Sequence, residues 1–270
     1  MHVLERRFLQ PGAKFVLECP VDRLVVESVL YQIFQLEMGF WSDVTGRGLA
    51  YQFDLRFWLK CEGLLRESST TPGPIDASTS PVLGIPMAIY KLMLMTRRLW
   101  TMSPRPPDFS NSLKQVETEL ASWEWYELLG PENDNSLASC QSPMPTSSHS
   151  LVGHATLIMV TCASLLLHQL RGQARNAPSP PDDEEGGKMV DKIISILRSR
   201  KGDHQWTSCH VATYPIYVAG YFMRSEEEIN LVKAEMQQRF EDLHWRQVSR
   251  FWEDLETVWR TTARSDSIAH

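Results

Sequence analysis

Apolar positions recur every three or four residues along most of this chain, and the alternation expected of strands is nearly absent. That period describes one face of an α-helix. Residues 21–40 carry it through Leu24, Val25, Ser28, Val29, Gln32, Ile33 and Leu36. Asp22 sits near the start, where a carboxylate meets the helix dipole favourably, and Gly39 is the expected stop. Residues 53–65 repeat the pattern in Phe53, Phe57, Cys61 and Leu64 or Leu65. A further helix follows Pro86, which suits a first turn. It continues through Ile89, Leu92 or Met93, Thr96 and Leu99 and ends before Ser103-Pro104-Arg105-Pro106-Pro107.

Residues 113–129 predict another helix, with Val116, Leu120, Trp123 and Leu128 apolar. The most apolar run lies within 151–170, and 189–197 aligns Val190, Ile193, Ile194 and Leu197. The segment 210–221 is apolar but interrupted by Pro215 and Gly220. Ser225-Glu226-Glu227-Glu228 has a hydroxyl followed by a carboxylate three residues on, the pattern of a capping box. It opens a helix with Ile229, Val232, Met236, Phe240 and Leu243. A last helix carries Val248, Phe251, Trp252, Leu255, Val258 and Trp259.

Mobile loops are expected near 67–80, 131–150 and 176–187, where Ser, Thr, Pro and Gly accumulate; the last contains the acidic run Asp182-Asp183-Glu184-Glu185. The expectation is an all-α fold, an irregular helical bundle or array of helical hairpins. No linker separates self-sufficient sets of helices, so 1–270 reads as a single domain.

Composition narrows the function. With 43% hydrophobic residues, nine Trp and seven Tyr, the 270 residues can build a sizeable core. A net charge of −6 and a pI near 5.8 argue against nucleic-acid binding over the whole surface, which needs Lys and Arg to replace counterions. The five cysteines, Cys19, Cys61, Cys140, Cys162 and Cys209, are scattered and never paired as Cys-x-x-Cys. Structural zinc needs closely spaced thiolates, and a secreted disulfide scaffold needs an even framework. A reducing compartment is the natural reading. Residues 155–167 fall short of the roughly 20 apolar residues of a membrane span and are bracketed by His154 and His168, so they read as a core helix.

Three stretches resemble the fungal-specific transcription factor domain, the regulatory half of zinc binuclear cluster regulators. Ser80-Pro81-Val82-Leu83-Gly84-Ile85-Pro86 resembles its Asn/Ser-Pro-x-x-Gly-x-Pro opening of a long apolar helix. Tyr214-Pro215-Ile216-Tyr217-Val218-Ala219-Gly220 is similar to its Trp-Pro-x-x-x-Ala-Gly segment, with Tyr214 in place of Trp. The ending is similar to its final helix closing on Leu-x-x-x-Trp, here Leu255 and Trp259. The likeness extends over most of the chain from about Val21. It implies an all-helical, effector-responsive module, here without the zinc cluster that reads DNA.

Candidate chemistry is sparse. Asp182-Asp183-Glu184-Glu185 has the oxygen ligands a divalent cation takes, but Pro and Gly flank it. His204, Cys209 and His210 cluster, with His244 as a partner to complete a zinc site. No Gly-x-Ser-x-Gly elbow presents a nucleophile, and Gly46-Arg47-Gly48 is too short to cradle phosphate. Arg97-Arg98 and Arg198-Ser199-Arg200-Lys201 are small basic clusters; the second could serve nuclear import or an acidic partner. Trp123, Trp125, Tyr126, Trp206, Tyr214, Tyr217 and Tyr221 could line a ligand pocket.

The reading is therefore a transcription regulator-like protein, not an enzyme, with no catalytic, cofactor-binding or metal residues assigned and no cofactor. It is expected in the nucleus, with the cytoplasm as a second compartment. It would act through protein partners, as a homodimer or with a complete zinc cluster regulator, in a fungal secondary metabolic gene cluster. A small-molecule effector is allowed; neither direct DNA binding nor a membrane is expected. The alternatives are an all-α, terpene-cyclase-like enzyme and a helical interaction module unrelated to transcription.

Overall fold

A computed structural model describes residues 17, 19–41, 55–68, 80, 82–102, 105–124, 147–171 and 178–268. Among them are α-helices and one 3-10 turn, and no strand; the fold is all-α. In chain order these are α1 (Pro20–Met38), α2 (Leu55–Arg66), α3 (Met87–Thr101), α4 (Phe109–Glu124), α5 (Ser147–Arg171), α6 (Glu184–Ser199), the short α7 (His204–Thr207), the 3-10 turn His210–Ala212, α8 (Thr213–Gly220), α9 (Glu226–Leu243) and α10 (Arg246–Ile268).

Contacts fall into two compact units. Unit 1 comprises Met1–Gly39 and Gly46–Leu94, and unit 2 comprises Phe40–Thr45 and Met95–His270. The boundary at Leu94 lies inside α3, so no change in composition marks it.

Unit 1 is organised by a buried ion pair. On α1, Arg23 Nε donates to Glu27 Oε1 at 2.9 Å, one turn apart. Arg23 Nη1 reaches the Leu65 carbonyl at the end of α2 (3.1 Å), and Glu27 Oε2 accepts from Val82 N–H ahead of α3 (3.3 Å). A buried charge is tolerable when it is paired and its remaining hydrogen-bonding capacity is used. This pair orients α1 and corrects the expected apolar face. Arg23, Val26, Glu27, Leu30, Phe34 and Met38 face inward. Leu24, Val25, Ser28, Gln32 and Leu36 are exposed, Leu36 at 73%; of the expected face only Ile33 is buried. Gly39 ends the helix with φ +51°, a conformation that costs glycine little. Tyr90 on α3 gathers Phe34, Tyr31 and Trp58 around its ring and donates to the Leu83 carbonyl.

Unit 2 is built around α5. Residues Leu151–Arg171 have a mean hydropathy of 1.7, long and apolar enough to cross a bilayer by length and composition. The helix is 67% buried over its most apolar window, packed by α4, α6 and α8, as expected of a core helix. Residues 147–150, expected in a loop, belong to its first turn.

The acidic segment 176–187 needs a larger correction. Asp183 accepts from Gly186 N–H at 2.8 Å and caps α6, which takes Glu184, Glu185, Gly186 and Gly187 as its first turn. Carboxylates there face the positive end of the helix dipole. The expected loop at 67–80 lies almost wholly outside the described residues, as does 131–146.

Helix α8, the segment 213–220, is buried at every position. Helix α9 opens with the expected capping box, Ser225 and Glu228 bonding reciprocally. Its inward face holds Val232, Glu235, Met236 and Arg239, whereas Phe240, expected inside, is 44% exposed. Helix α10 buries Val248, Phe251 and Leu255 against this layer.

Gly220 touches Leu255 so closely that an added Cβ would lie 2.7 Å from its Cδ1. Trp259 Nε1 donates to the Gly220 carbonyl at 3.0 Å. Gly220→Val is expected to lower stability by about 1–3 kcal/mol through overpacking, measured by denaturant unfolding. An unchanged midpoint would contradict the close approach of α8 and α10.

Asp183 has its pKa held below the ordinary carboxylate range by the Gly186 N–H and by His168, whose Nε2 lies 2.8 Å from Oδ2. A depressed carboxylate contributes stability above its unfolded-state pKa and loses it as pH falls through the folded value. Asp183→Asn is expected to flatten the acid-side fall in thermal stability relative to the parent. Parallel curves from neutral pH into the acid range would refute the cap.

Candidate functional site

Two polar centres lie in unit 2. The first is Arg239 on α9, fully buried. Its Nε donates to Glu235 Oε1 (3.0 Å), Nη1 to the Cys209 carbonyl (2.8 Å) and Nη2 to the Trp206 carbonyl (2.9 Å), and its guanidinium lies 4.9 Å from the Trp206 ring centroid. Arg239 adds a second donor to the Trp206 and Cys209 carbonyls, which also accept from the Cys209 N–H (3.0 Å) and the Ala212 N–H (3.2 Å). Burial lowers its pKa and raises that of Glu235, and each charge offsets the cost of the other.

This centre disperses the His/Cys cluster read from the sequence. His204 turns outward to Asp242, with Nδ1 to Oδ2 at 3.1 Å, and Asp242 also accepts from the Thr207 hydroxyl. His210 lies beside Trp245, and His244 ends α9 in the left-handed conformation. Cys209 offers its carbonyl to Arg239, while burial pushes its thiol pKa up. Burial likewise raises the Cys61 thiol to about 12, so it stays protonated and a poor nucleophile. The acidic run is also dispersed: Asp182 pairs with Arg224, Asp183 caps α6, and Glu184 pairs with Lys188. Among the described residues, no three His, Cys, Asp or Glu side chains are placed to hold a metal ion. In the basic cluster, Arg198 pairs with Glu227 and Arg200 with Asp203 and His154.

The second centre is an aromatic cage, of which the sequence named the three tyrosines. Tyr214, Tyr217 and Tyr221 share one face of α8. They meet Phe251 and Asp254 from α10, and Arg97 and Trp100 from α3 and Arg250 from α10 complete the cage around its occupant. The cage holds Phe40-Trp41 of the same chain. The Trp41 indole N–H donates to Tyr214 Oη at 2.9 Å; Arg97 lies 4.5 Å over the ring, and Trp100 meets it edge-on at 5.5 Å. Phe40 packs edge-on to Tyr217 and Phe251, with Arg250 at 5.0 Å.

The peptide bond between these residues is read at both ends. Arg97 Nη2 donates to the Phe40 carbonyl at 2.9 Å, and Trp41 N–H donates to Tyr217 Oη at 3.2 Å. Tyr217 passes its own proton toward Asp254 Oδ2 (2.7 Å), which Tyr221 also contacts. Burial, then the neighbouring Tyr221 and Asp254, push the Tyr217 pKa well up, so it remains a neutral donor. Of the other aromatics named from sequence, Trp206 belongs to the Arg239 centre and Trp123 sits half-buried on α4; Trp125 and Tyr126 lie outside the described residues.

Sequence reasoning missed Phe40, Trp41, Arg97 and Asp254. Arg97 reads as half of a surface basic pair, yet it is buried while Arg98 is exposed. Comparison with family models, with curated proteins and with solved structures found no match for this chain.

Arg239→Met is expected to cost about 3–5 kcal/mol, because it leaves Glu235 buried without its countercharge and removes the second hydrogen bond to each of two carbonyls. Chemical denaturation measures it. A loss below about 1 kcal/mol, the scale of an exposed pair, would show the centre to be dispensable.

Proposed function

We propose that the chain is a regulatory module of the fungal-specific transcription factor type, working in the nucleus through protein partners rather than by catalysis. The partner would be a second copy or a complete zinc cluster regulator that supplies DNA contact. One observation carries the reading: two of the three stretches behind the resemblance pack on each other. Gly220 closes the Tyr214–Gly220 stretch, and Leu255 and Trp259 close the final helix. Across 39 residues, Trp259 Nε1 bonds the Gly220 carbonyl, and Leu255 fills the space a Cβ would occupy. Motifs meeting as one packing unit are what a shared fold would require of them. The third stretch is also ordered locally, with Gly84 N–H on the Ser80 carbonyl and Leu83 N–H on the Ser80 hydroxyl.

The use of buried polar groups favours a binding module over an enzyme. Arg239, Arg97 and Tyr217 each hydrogen-bond backbone groups of the chain itself, and Arg239 and Tyr217 also bond its own side chains. The test fuses the full chain to a neutral DNA-binding domain in a fungal cell with a reporter, expression of folded fusion being checked alongside. A rise or fall in reporter output is expected. Unchanged output from a folded fusion sinks the proposal.

A further inference from the structure

Phe40-Trp41 is held as a bound peptide is held. Phe40-Trp41 belongs to unit 2, although α1 just before it belongs to unit 1. It enters immediately after Gly39, whose backbone (φ +51°, ψ −152°) breaks from α1. The side chains that receive it come from α3, α8 and α10 rather than from its own sequence neighbourhood. They read three separate features. Tyr214 reads the indole N–H, Arg97 and Tyr217 read the carbonyl and N–H of one peptide bond, and aromatic rings pack edge-on to both rings. Trp41 is fully buried at 0% exposure.

We propose that this cage is a binding site for an aromatic dipeptide of the arylalanyl-tryptophan class, occupied in the folded chain by its own Phe40-Trp41. Hydrogen bonds to both ends of a peptide bond fix the direction of the bound chain, and the indole acceptor fixes which residue comes second. A site of this kind, filled intramolecularly, faces an effective ligand concentration in the millimolar range, so the intact chain excludes a free competitor. Emptied of its own segment, the cage is open to the same chemistry in trans. The inference is independent of the regulatory reading.

The test replaces the plug and leaves the cage. The full chain carrying Phe40→Ser and Trp41→Gly is titrated with N-acetyl-Phe-Trp-amide, following helical circular dichroism and the thermal midpoint. A saturable rise in midpoint is expected for the variant and none for the parent. The reversed dipeptide, N-acetyl-Trp-Phe-amide, should bind about tenfold or more weakly, because it leaves buried polar groups unpaired. A variant that unfolds alone still reports, since recovery of helicity on adding the dipeptide supports the site. Failure of millimolar dipeptide to bind or rescue the variant would overturn the proposal. Equal binding of the two orders would overturn it as well, reducing the cage to a nonspecific apolar cavity.

Discussion

A guanidinium taken out of water must find partners for its charge and its donors, and buried arginines organise both units. In unit 2, Arg239 holds two carbonyls around the end of α7 as well as the Glu235 carboxylate. That fixes the turn from α7 to the 3-10 segment, which in turn sets where α8 begins. Arg97 repeats the device at the cage by stacking on Trp41 and holding the Phe40 carbonyl. In unit 1, Arg23 and Glu27 tie α1 to the end of α2 and the approach to α3. Removing one member of such a pair strands the other, so these residues act as joints.

Helix α8 is shared by the α5, α9 and α10 layers of unit 2. One face lies on the apolar α5, where Cys162 approaches the Pro215 carbonyl. A second presents the tyrosines of the cage. Its C-terminal end gives Gly220 to α10. A segment with three occupied faces has no room for a charged residue, and none occurs between Thr213 and Phe222. Its short length and Pro215 hide its helical nature from periodicity. Pro215 is tolerated because it falls in the first turn, where its missing N–H is not needed.

Much of this architecture was legible. Apolar spacing located the helices, and the capping box on α9 formed as written. The errors share a cause. On α1 the apolar pattern pointed to a face containing the exposed Leu36, while Arg23 and Glu27 turned inward; on α9 Val232 and Met236 are buried as expected, but the Glu235–Arg239 pair joins them and Phe240 is exposed. An i, i+4 ion pair looks like surface ornament in a sequence, because nothing local says whether distant carbonyls wait to receive it. The acidic run before α6 misled for a related reason: Pro and Gly nearby suggest a loop, but Asp183 spends its carboxylate on a cap.

What the sequence alone determined is the helical class and the approximate positions of the longer helices, because these depend on spacing within a few turns. Tertiary structure decided which arginines are buried, which face of α1 points inward, and that Phe40-Trp41 fills the tyrosine cage. Those outcomes rest on pairings between residues as far apart as Trp41 and Tyr217, 176 positions along the chain. Local pattern carries no information about a partner that folding alone brings near.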